Sequence, residues 1–258
     1  MSSPWLQCFV PRPSARLRLV CFAHAGGSAA AYRPWCPGLP EGIELWAVQL
    51  PARANRLREA PLTRLGDVVD GVVQALRPLL DRPYALFGHS MGAVLANEVA
   101  RQLQQLGAPL PSHLFASGRR PPHWPNPDAP LHPLSDADFV AEIQRRYGGI
   151  PPEVAAHEEL MAMLLPSLRA DIHALETHLP PAGRLPLACP VSVFGGSHDP
   201  LTPREHLDGW HAESSAPVQV QVLPGDHFYL NTQREALLGA LCARLAPLLA
   251  ERQREAAA

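Results

Sequence analysis

The sequence predicts an α/β fold: a mostly parallel central sheet with helices on both faces and a helical lid inserted between two of its strands. Three observations carry that expectation. Short apolar runs at 16–23, 43–50, 84–88, 113–118, 190–195 and 218–222 alternate with helix-period stretches at 64–80, 91–106 and 232–250. One strand-to-helix junction reads Gly88-His89-Ser90-Met91-Gly92, a G-x-S-x-G turn. Residues 119–180 break the alternation with a proline-dense stretch and then helical periodicity without a strand. The expected division is a core of 1–118 and 181–258, with 119–180 as a lid over the strands' C-terminal ends, where open α/β sheets bind ligands.

The elements follow in chain order. Residues 1–14 are polar and proline-rich and read as a loose arm. The 16–23 run ends at His24-Ala25-Gly26-Gly27-Ser28, where Ser28 is placed to cap a short helix through Tyr32. The 43–50 run stops at Pro51, and a loop carrying Arg53, Arg56 and Arg58 follows. Leu65, Val68, Val69, Val72, Val73 and Leu76 recur on one side of the 64–80 helix. Gly107 suits the C-terminal cap of the helix after the elbow. Residues 119–135 are too rich in proline for a packed element. Ser135-Asp136-Ala137-Asp138 is a capping sequence into a helix ending near Gly148, and Pro166 predicts that the stretch 153–177 divides into two helices.

The G-x-S-x-G turn sets the chemistry. A serine at a tight strand-to-helix turn is held in a strained conformation with its hydroxyl exposed, and glycine is required on both sides because a side chain there would meet neighbouring backbone. In α/β hydrolases the order along the chain is Ser, then Asp or Glu, then His. Asp199 lies just after the 190–195 strand and His227 just after the 218–222 strand, on the same side of the sheet as Ser90. In that arrangement His227 takes the Ser90 proton and returns it to the leaving group, and Asp199 fixes the imidazole tautomer. The backbone N–H of Met91, and one from the 24–27 loop assigned to Ala25, are the expected oxyanion donors. Asp226, adjacent to His227, is discounted as the orienting acid; His198 reads as loop-exposed, His89 as packing, and His24 as ordering the oxyanion loop.

Composition narrows the rest. Net charge is −2 with arginine as the sole cation besides histidine, so nucleic acid is not an expected partner. Five widely spaced cysteines form neither a disulfide framework nor a zinc pattern, and no metal or cofactor is expected. No signal segment and no membrane span are read, so the expectation is a cytoplasmic monomer. The other histidines (113, 123, 132, 157, 173, 178, 206 and 211) and the arginines at 53, 56, 58, 119, 120, 145 and 146 read as solvated.

Several segments together resemble a known family. Phe22-Ala23-His24-Ala25-Gly26-Gly27-Ser28, the 51–61 loop Pro51-Ala52-Arg53-Ala54-Asn55-Arg56-Leu57-Arg58-Glu59-Ala60-Pro61, and Gly88-His89-Ser90-Met91-Gly92-Ala93 are similar to segments of type II thioesterases. So are Ser117-Gly118-Arg119-Arg120-Pro121-Pro122, Leu165-Pro166-Ser167-Leu168-Arg169-Ala170-Asp171 and Gly225-Asp226-His227-Phe228-Tyr229-Leu230. The likeness covers about 16–250; Ala52 stands where the family usually has glycine, and His178 where it often has tyrosine. It implies the α/β-hydrolase fold and hydrolysis of acyl groups from the phosphopantetheine arm of acyl- or peptidyl-carrier proteins, an editing role in polyketide or nonribosomal peptide synthesis. Met161, Met163, Leu164 and Leu165 would then line an adaptable acyl chamber. Arg119, Arg120 or the 53–58 cluster would steer the acidic carrier. A general carboxylesterase or an acyltransferase with the same three residues remains open on residue chemistry alone.

Overall fold

Strands whose side chains are apolar on both faces need cover on two sides, and this chain supplies it with helices. The computed structural model describes residues 3–255. Its strands are β1 (Leu6–Gln7), β2 (Leu17–Phe22), β3 (Ile43–Val48), β4 (Tyr84–His89), β5 (His113–Ser117), β6 (Val191–Gly196) and β7 (Val218–Leu223). They form one sheet in the order β1-β3-β2-β4-β5-β6-β7. Only β1 is antiparallel to its neighbour; the other pairs are parallel. The helices are α1 (Leu65–Leu76), α2 (Met91–Gln105), α3 (Asp136–Tyr147), α4 (Pro152–Ala155), α5 (Glu158–Glu176), α6 (Arg204–Asp208), α7 (Tyr229–Thr232) and α8 (Arg234–Glu255).

The period of two sorts the strand residues between two cores. Val20, Phe22 and Leu86 pack with Val69, Val72, Val94 and Val99 of α1 and α2. Leu19, Cys21, Ala85 and Phe87 pack with Leu237, Leu241 and Leu245 of α8, and with Tyr32 and Trp35 of the 3-10 segment Ala29–Gly38. Each fully buried Val, Leu or Phe among them contributes about 1.5–3 kcal/mol. The sheet is thus clamped from both faces, and its strand ends are fixed platforms for the loops that follow.

A third core lies between β5 and β6. Phe139 and Ile143 of α3, Leu168 and Ile172 of α5, and the connecting Leu131 and Ile150 pack on one another. Ser135 caps α3 by accepting the Asp138 N–H at 3.2 Å, and Gly148 closes it in the left-handed conformation at φ 61°. The proline-dense 119–135 stretch forms no helix or strand, as its composition requires.

Three local expectations are corrected. The 1–14 arm is not loose along its described length: Leu6 and Gln7 pair with Val48 and Ala47, and Leu6 is buried in the α1 core. Pro166 does not divide its helix. α5 runs unbroken through it, and the break falls before Glu158. An interior proline costs about 3 kcal/mol by deleting one hydrogen bond and crowding a carbonyl. Here Pro166 and Ala162, whose carbonyl loses its donor, are exposed, so that carbonyl faces solvent, while Leu168, Ala170, Ile172 and Ala174 are buried and hold the rest of the helix in place. Ser28 adopts the extended N-cap backbone ahead of the 3-10 segment, but its side chain makes no capping hydrogen bond.

Candidate active site

The elbow is built by close backbone packing. Ser90 has φ 55° and ψ −116°, a conformation non-glycine residues adopt only at a cost of about 1–3 kcal/mol. Its N–H is held by the carbonyl of Ser117 at 2.8 Å, and its carbonyl accepts from Ala93 at 3.0 Å. A Cβ on Gly88 would lie 1.9 Å from the Gly92 carbonyl oxygen, and one on Gly92 would lie 2.1 Å from that of Phe22. Both glycines are thus required by β4, α2 and β2 crossing at contact distance. Met91 begins α2, so its N–H belongs to the helix's free N-terminal donors.

Three loops at strand C-terminal ends bring Ser90, Asp199 and His227 together. His227 Nε2 lies 3.1 Å from Ser90 Oγ, and His227 Nδ1 lies 2.8 Å from Asp199 Oδ2. All three residues are buried. Asp199 also accepts from the Thr202 hydroxyl at 2.7 Å and from the Leu201 N–H at 3.0 Å. Burial works against its charge, but the hydrogen bond and charge of His227, then Thr202 and Leu201, outweigh it and hold the carboxyl below its ordinary value. A carboxylate that stays ionised beside Nδ1 keeps the proton on that nitrogen and leaves Nε2 free to accept from serine.

The neighbouring groups sort as the sequence suggests. Asp226 turns its carboxylate to the Phe228 N–H at 2.8 Å, away from the imidazole, and His198 is exposed. His89 is fully buried, with Nδ1 2.9 Å from Ser117 Oγ, which is 2.7 Å from the Tyr229 hydroxyl. Burial pushes the His89 imidazole well below its usual value, and the nearby His227 and His24 add to this, so the ring is neutral. His24 Nδ1 lies 2.9 Å from the carbonyl oxygen of Ala25; burial lowers this imidazole too.

Beyond the serine lies a cavity of about 840 Å³. Ser90, His227 and Ala25 line it together with Ile143, Met163 and Leu164 from the inserted helices. Met161 and Leu165, also expected as lining, pack into the insertion's own core instead. His178 lies outside this cavity and faces Glu98, with Nε2 3.6 Å from its Oε1. The volume lies within the usual range for ligand sites, and the wall is mostly apolar.

The solvated reading fails at several charged groups. Arg53 is buried and donates to both carboxylate oxygens of Asp171 at 2.5 and 2.7 Å. Arg56 is buried, donates to the Gln49 carbonyl at 2.9 Å, and lies 4.3 Å from the Trp5 ring centre. Only Arg58 of that loop is exposed, so the 53–58 cluster is not a free basic patch. Arg146 is mostly covered and pairs with Glu142, whereas Arg145, which pairs with the same carboxylate, stays exposed as expected. Arg119 and Arg120 remain half-buried beside a second cavity, Arg120 donating to Asn126 at 2.6 Å. Burial, then the charge of Arg119, pushes Arg120 down to about 10. His113 is buried against Ser192 and His132 pairs with Glu176, whereas His123, though paired with Glu213, stays exposed as expected. The Arg53–Asp171 pair was missed, although a signal existed: Asp171 falls on the apolar face of α5 beside Leu168 and Ile172, where a charge demands a partner.

Among the described residues no group of three or more His, Cys, Asp or Glu is placed to hold a metal ion, and no helix is long and apolar enough to cross a membrane. The five cysteines are free thiols.

A seven-stranded α/β sheet bearing a serine on a strained turn, with histidine and aspartate within hydrogen-bond reach, defines a hydrolase of the α/β-hydrolase fold. The family model described as thioesterase domain matches residues 17–245, and the chain belongs to that family, whose members hydrolyse thioesters. The chain is 38% identical to thioesterase PikA5 of Streptomyces venezuelae, over 90% of this chain and 82% of that protein. It is 40% identical to a Brevibacillus parabrevis protein named linear gramicidin dehydrogenase LgrE, over 93% of this chain and 91% of that one. That name denotes a redox enzyme, whereas the matched family model denotes thioester hydrolysis, the chemistry that Ser90, His227 and Asp199 are arranged to serve. Among solved structures, the type II thioesterase BorB from the borrelidin biosynthetic cluster superposes with a TM-score of 0.84 at 34% identity, covering 95% of this chain and 98% of its own.

Proposed function

We propose that this chain removes acyl groups from the phosphopantetheine thiol of carrier proteins in polyketide or nonribosomal peptide synthesis, by way of an acyl-enzyme on Ser90. The reading rests on one observation above others: a continuous Ser90–His227–Asp199 hydrogen-bonded chain opening into an apolar cavity of about 840 Å³. The type II thioesterases among its structural relatives support the carrier-bound substrate.

The steps follow from the geometry. Ser90 Oγ attacks the thioester carbonyl as His227 Nε2, 3.1 Å away, takes its proton. The N–H groups of Met91 and Ala25 stabilise the oxyanion, and such donors are worth about 10²–10³ in rate each. As the tetrahedral intermediate collapses and the C–S bond breaks, His227 gives that proton to the leaving thiolate sulfur, and Asp199 holds the imidazolium that forms between these events. Water, activated by the same histidine, releases the acid from Ser90. The 119–180 insertion acts as the lid that keeps bulk water from the acyl chain and shapes its chamber. Arg119 and Arg120 form the basic patch that meets the acidic carrier, Arg53 and Arg56 being committed to internal partners.

The test compares kcat/KM for a hexanoyl-carrier protein with that for ethyl hexanoate, and weighs the product. Preference for the carrier thioester with release of hexanoic acid is expected. Faster cleavage of the oxygen ester indicates a general esterase, and transfer of the acyl group to a non-water acceptor indicates an acyltransferase.

A further inference from the structure

We infer that Asp171, carried on the lid helix α5, positions the loop that bears the Ala25 oxyanion donor, so that lid docking and assembly of the oxyanion site are a single event. This rests on the acyl-enzyme reading of the site above.

The contacts start from helix spacing. Leu164, Leu168 and Asp171 stand at i, i+4 and i+7 on α5, one face of the helix. That face lies directly against the 24–28 loop. A Cβ on Gly26 would be 3.1 Å from Leu168 Cδ1 and 3.4 Å from Leu164 Cδ1, so α5 approaches the loop as closely as a glycine allows. One turn further along, Asp171 Oδ2 accepts the Gly26 N–H at 2.8 Å.

Arg53 completes the clamp. Its Nη1 and Nη2 donate to Asp171 Oδ2 and Oδ1 at 2.5 and 2.7 Å, and Nη1 also donates to the Gly27 carbonyl at 3.2 Å. Its Nε is held by the Pro51 carbonyl at 3.1 Å. The 25–26 peptide is therefore gripped through its N–H by the lid's carboxylate, and the 27–28 peptide through its C=O by the guanidinium that this carboxylate neutralises. The Ala25 carbonyl is held in turn by His24 Nδ1 at 2.9 Å. The peptide that directly follows the Ala25 N–H is thus fixed from outside the loop by Asp171, the Gly27 N–H is tied back to the His24 carbonyl at 2.9 Å within it, and the direction of the Ala25 N–H is set.

Asp171 and Arg53 are both buried, so neither charge has water to fall back on. When α5 lifts away, Gly26 loses its acceptor and Arg53 its counter-charge, and the loop is released. Asp171 touches neither nucleophile nor base; it acts through Gly26. Coupling of this kind lets the chain do chemistry only with the lid seated over an acyl group.

The experiment measures kcat and KM on hexanoyl-N-acetylcysteamine for the wild-type enzyme, Asp171→Asn and Asp171→Ala, with hydrogen exchange followed in the 23–29 segment. Asn keeps an oxygen for Gly26 but loses the charge, and kcat is expected to fall about tenfold. Ala removes the acceptor, and kcat is expected to fall about 10²–10³-fold, the loss typical of one oxyanion donor. KM should stay within about threefold in both, since the effect is confined to the transition state. Exchange in 23–29 should accelerate in both variants. A merely structural latch would raise KM and lower the melting temperature while sparing kcat. A folded Asp171→Ala enzyme with wild-type kcat overturns the inference; where that variant does not fold, Asp171→Asn with wild-type kcat and unchanged loop exchange does the same. A wild-type enzyme that neither turns over the thioester nor labels at Ser90 brings down the acyl-enzyme reading and this inference with it, whereas an active wild type matched by its variants removes this inference alone.

Discussion

Gly92→Ala adds one methyl group where α2 begins beneath the end of β2. The new Cβ would lie 2.1 Å from the Phe22 carbonyl oxygen, 2.6 Å from the Phe22 carbonyl carbon and 2.8 Å from the Ala23 carbonyl oxygen. A relaxed C···O contact is about 3.3 Å or longer, so the helix start and the strand must separate by about 1 Å. The strand cannot give way easily, because β2 is paired to β3 on one side and β4 on the other. Overpacking against backbone costs about 3 kcal/mol. In a domain of this size that is a fall of about 6–12 °C in melting temperature. A displacement of about 1 Å at the nucleophile costs about 10²-fold in turnover. Thermal melts by circular dichroism and kcat/KM on a small thioester read both effects. Gly239→Ala is the control: nothing lies within 4 Å of that position on the exposed side of α8. Replacing an exposed helical glycine should stabilise by about 1 kcal/mol. A Gly92→Ala protein that melts with the wild type and turns over at its rate would refute the elbow's steric basis.

Other predictions draw on the site and the charges. Asp199→Asn should retain the fold yet lose about 10⁴ in kcat, because the amide stabilises the wrong imidazole tautomer; near-normal turnover would assign the orienting role elsewhere. Burial pushes His113 down to about 4, whereas in the unfolded chain it titrates near about 6.5. Between those values the unfolded state holds the extra proton, so stability rises with pH across the window and falls as pH drops through it. His113→Gln should therefore lose about 2 kcal/mol less than wild type between pH 7 and pH 5, measured by urea melts; identical pH dependence in the two proteins would remove His113 as a cause. Charge reversal at Arg119 and Arg120 together should cut kcat/KM on an acyl-carrier substrate by about tenfold, with a smaller effect on a free thioester. Equal losses on the two substrates would contradict carrier steering.

What the sequence makes legible is what short-range geometry controls. The elbow can be read because two glycines, a serine and the start of a helix lie within five consecutive positions, and their spacing is forced by backbone contact. Asp199 and His227 can be read because parallel strands all deliver their following loops to one side of the sheet. Pro166 misleads because its helix is decided by which face is exposed, a property of tertiary packing. The β1 pairing is invisible because two residues of strand carry no pattern. Arg53 escapes for a different reason: its partner Asp171 is 118 positions away, and a run of arginines in a loop looks the same whether it meets solvent or a buried carboxylate.

The most direct test is the intact mass of an acyl-loaded carrier protein before and after exposure to this enzyme, beside a Ser90→Ala control. Loss of the acyl mass with release of the free acid, absent in the control, is the expected result. A carrier whose acyl load survives the wild-type enzyme, or disappears equally in the Ser90→Ala reaction, would contradict the claim that this serine clears thioesters from carriers.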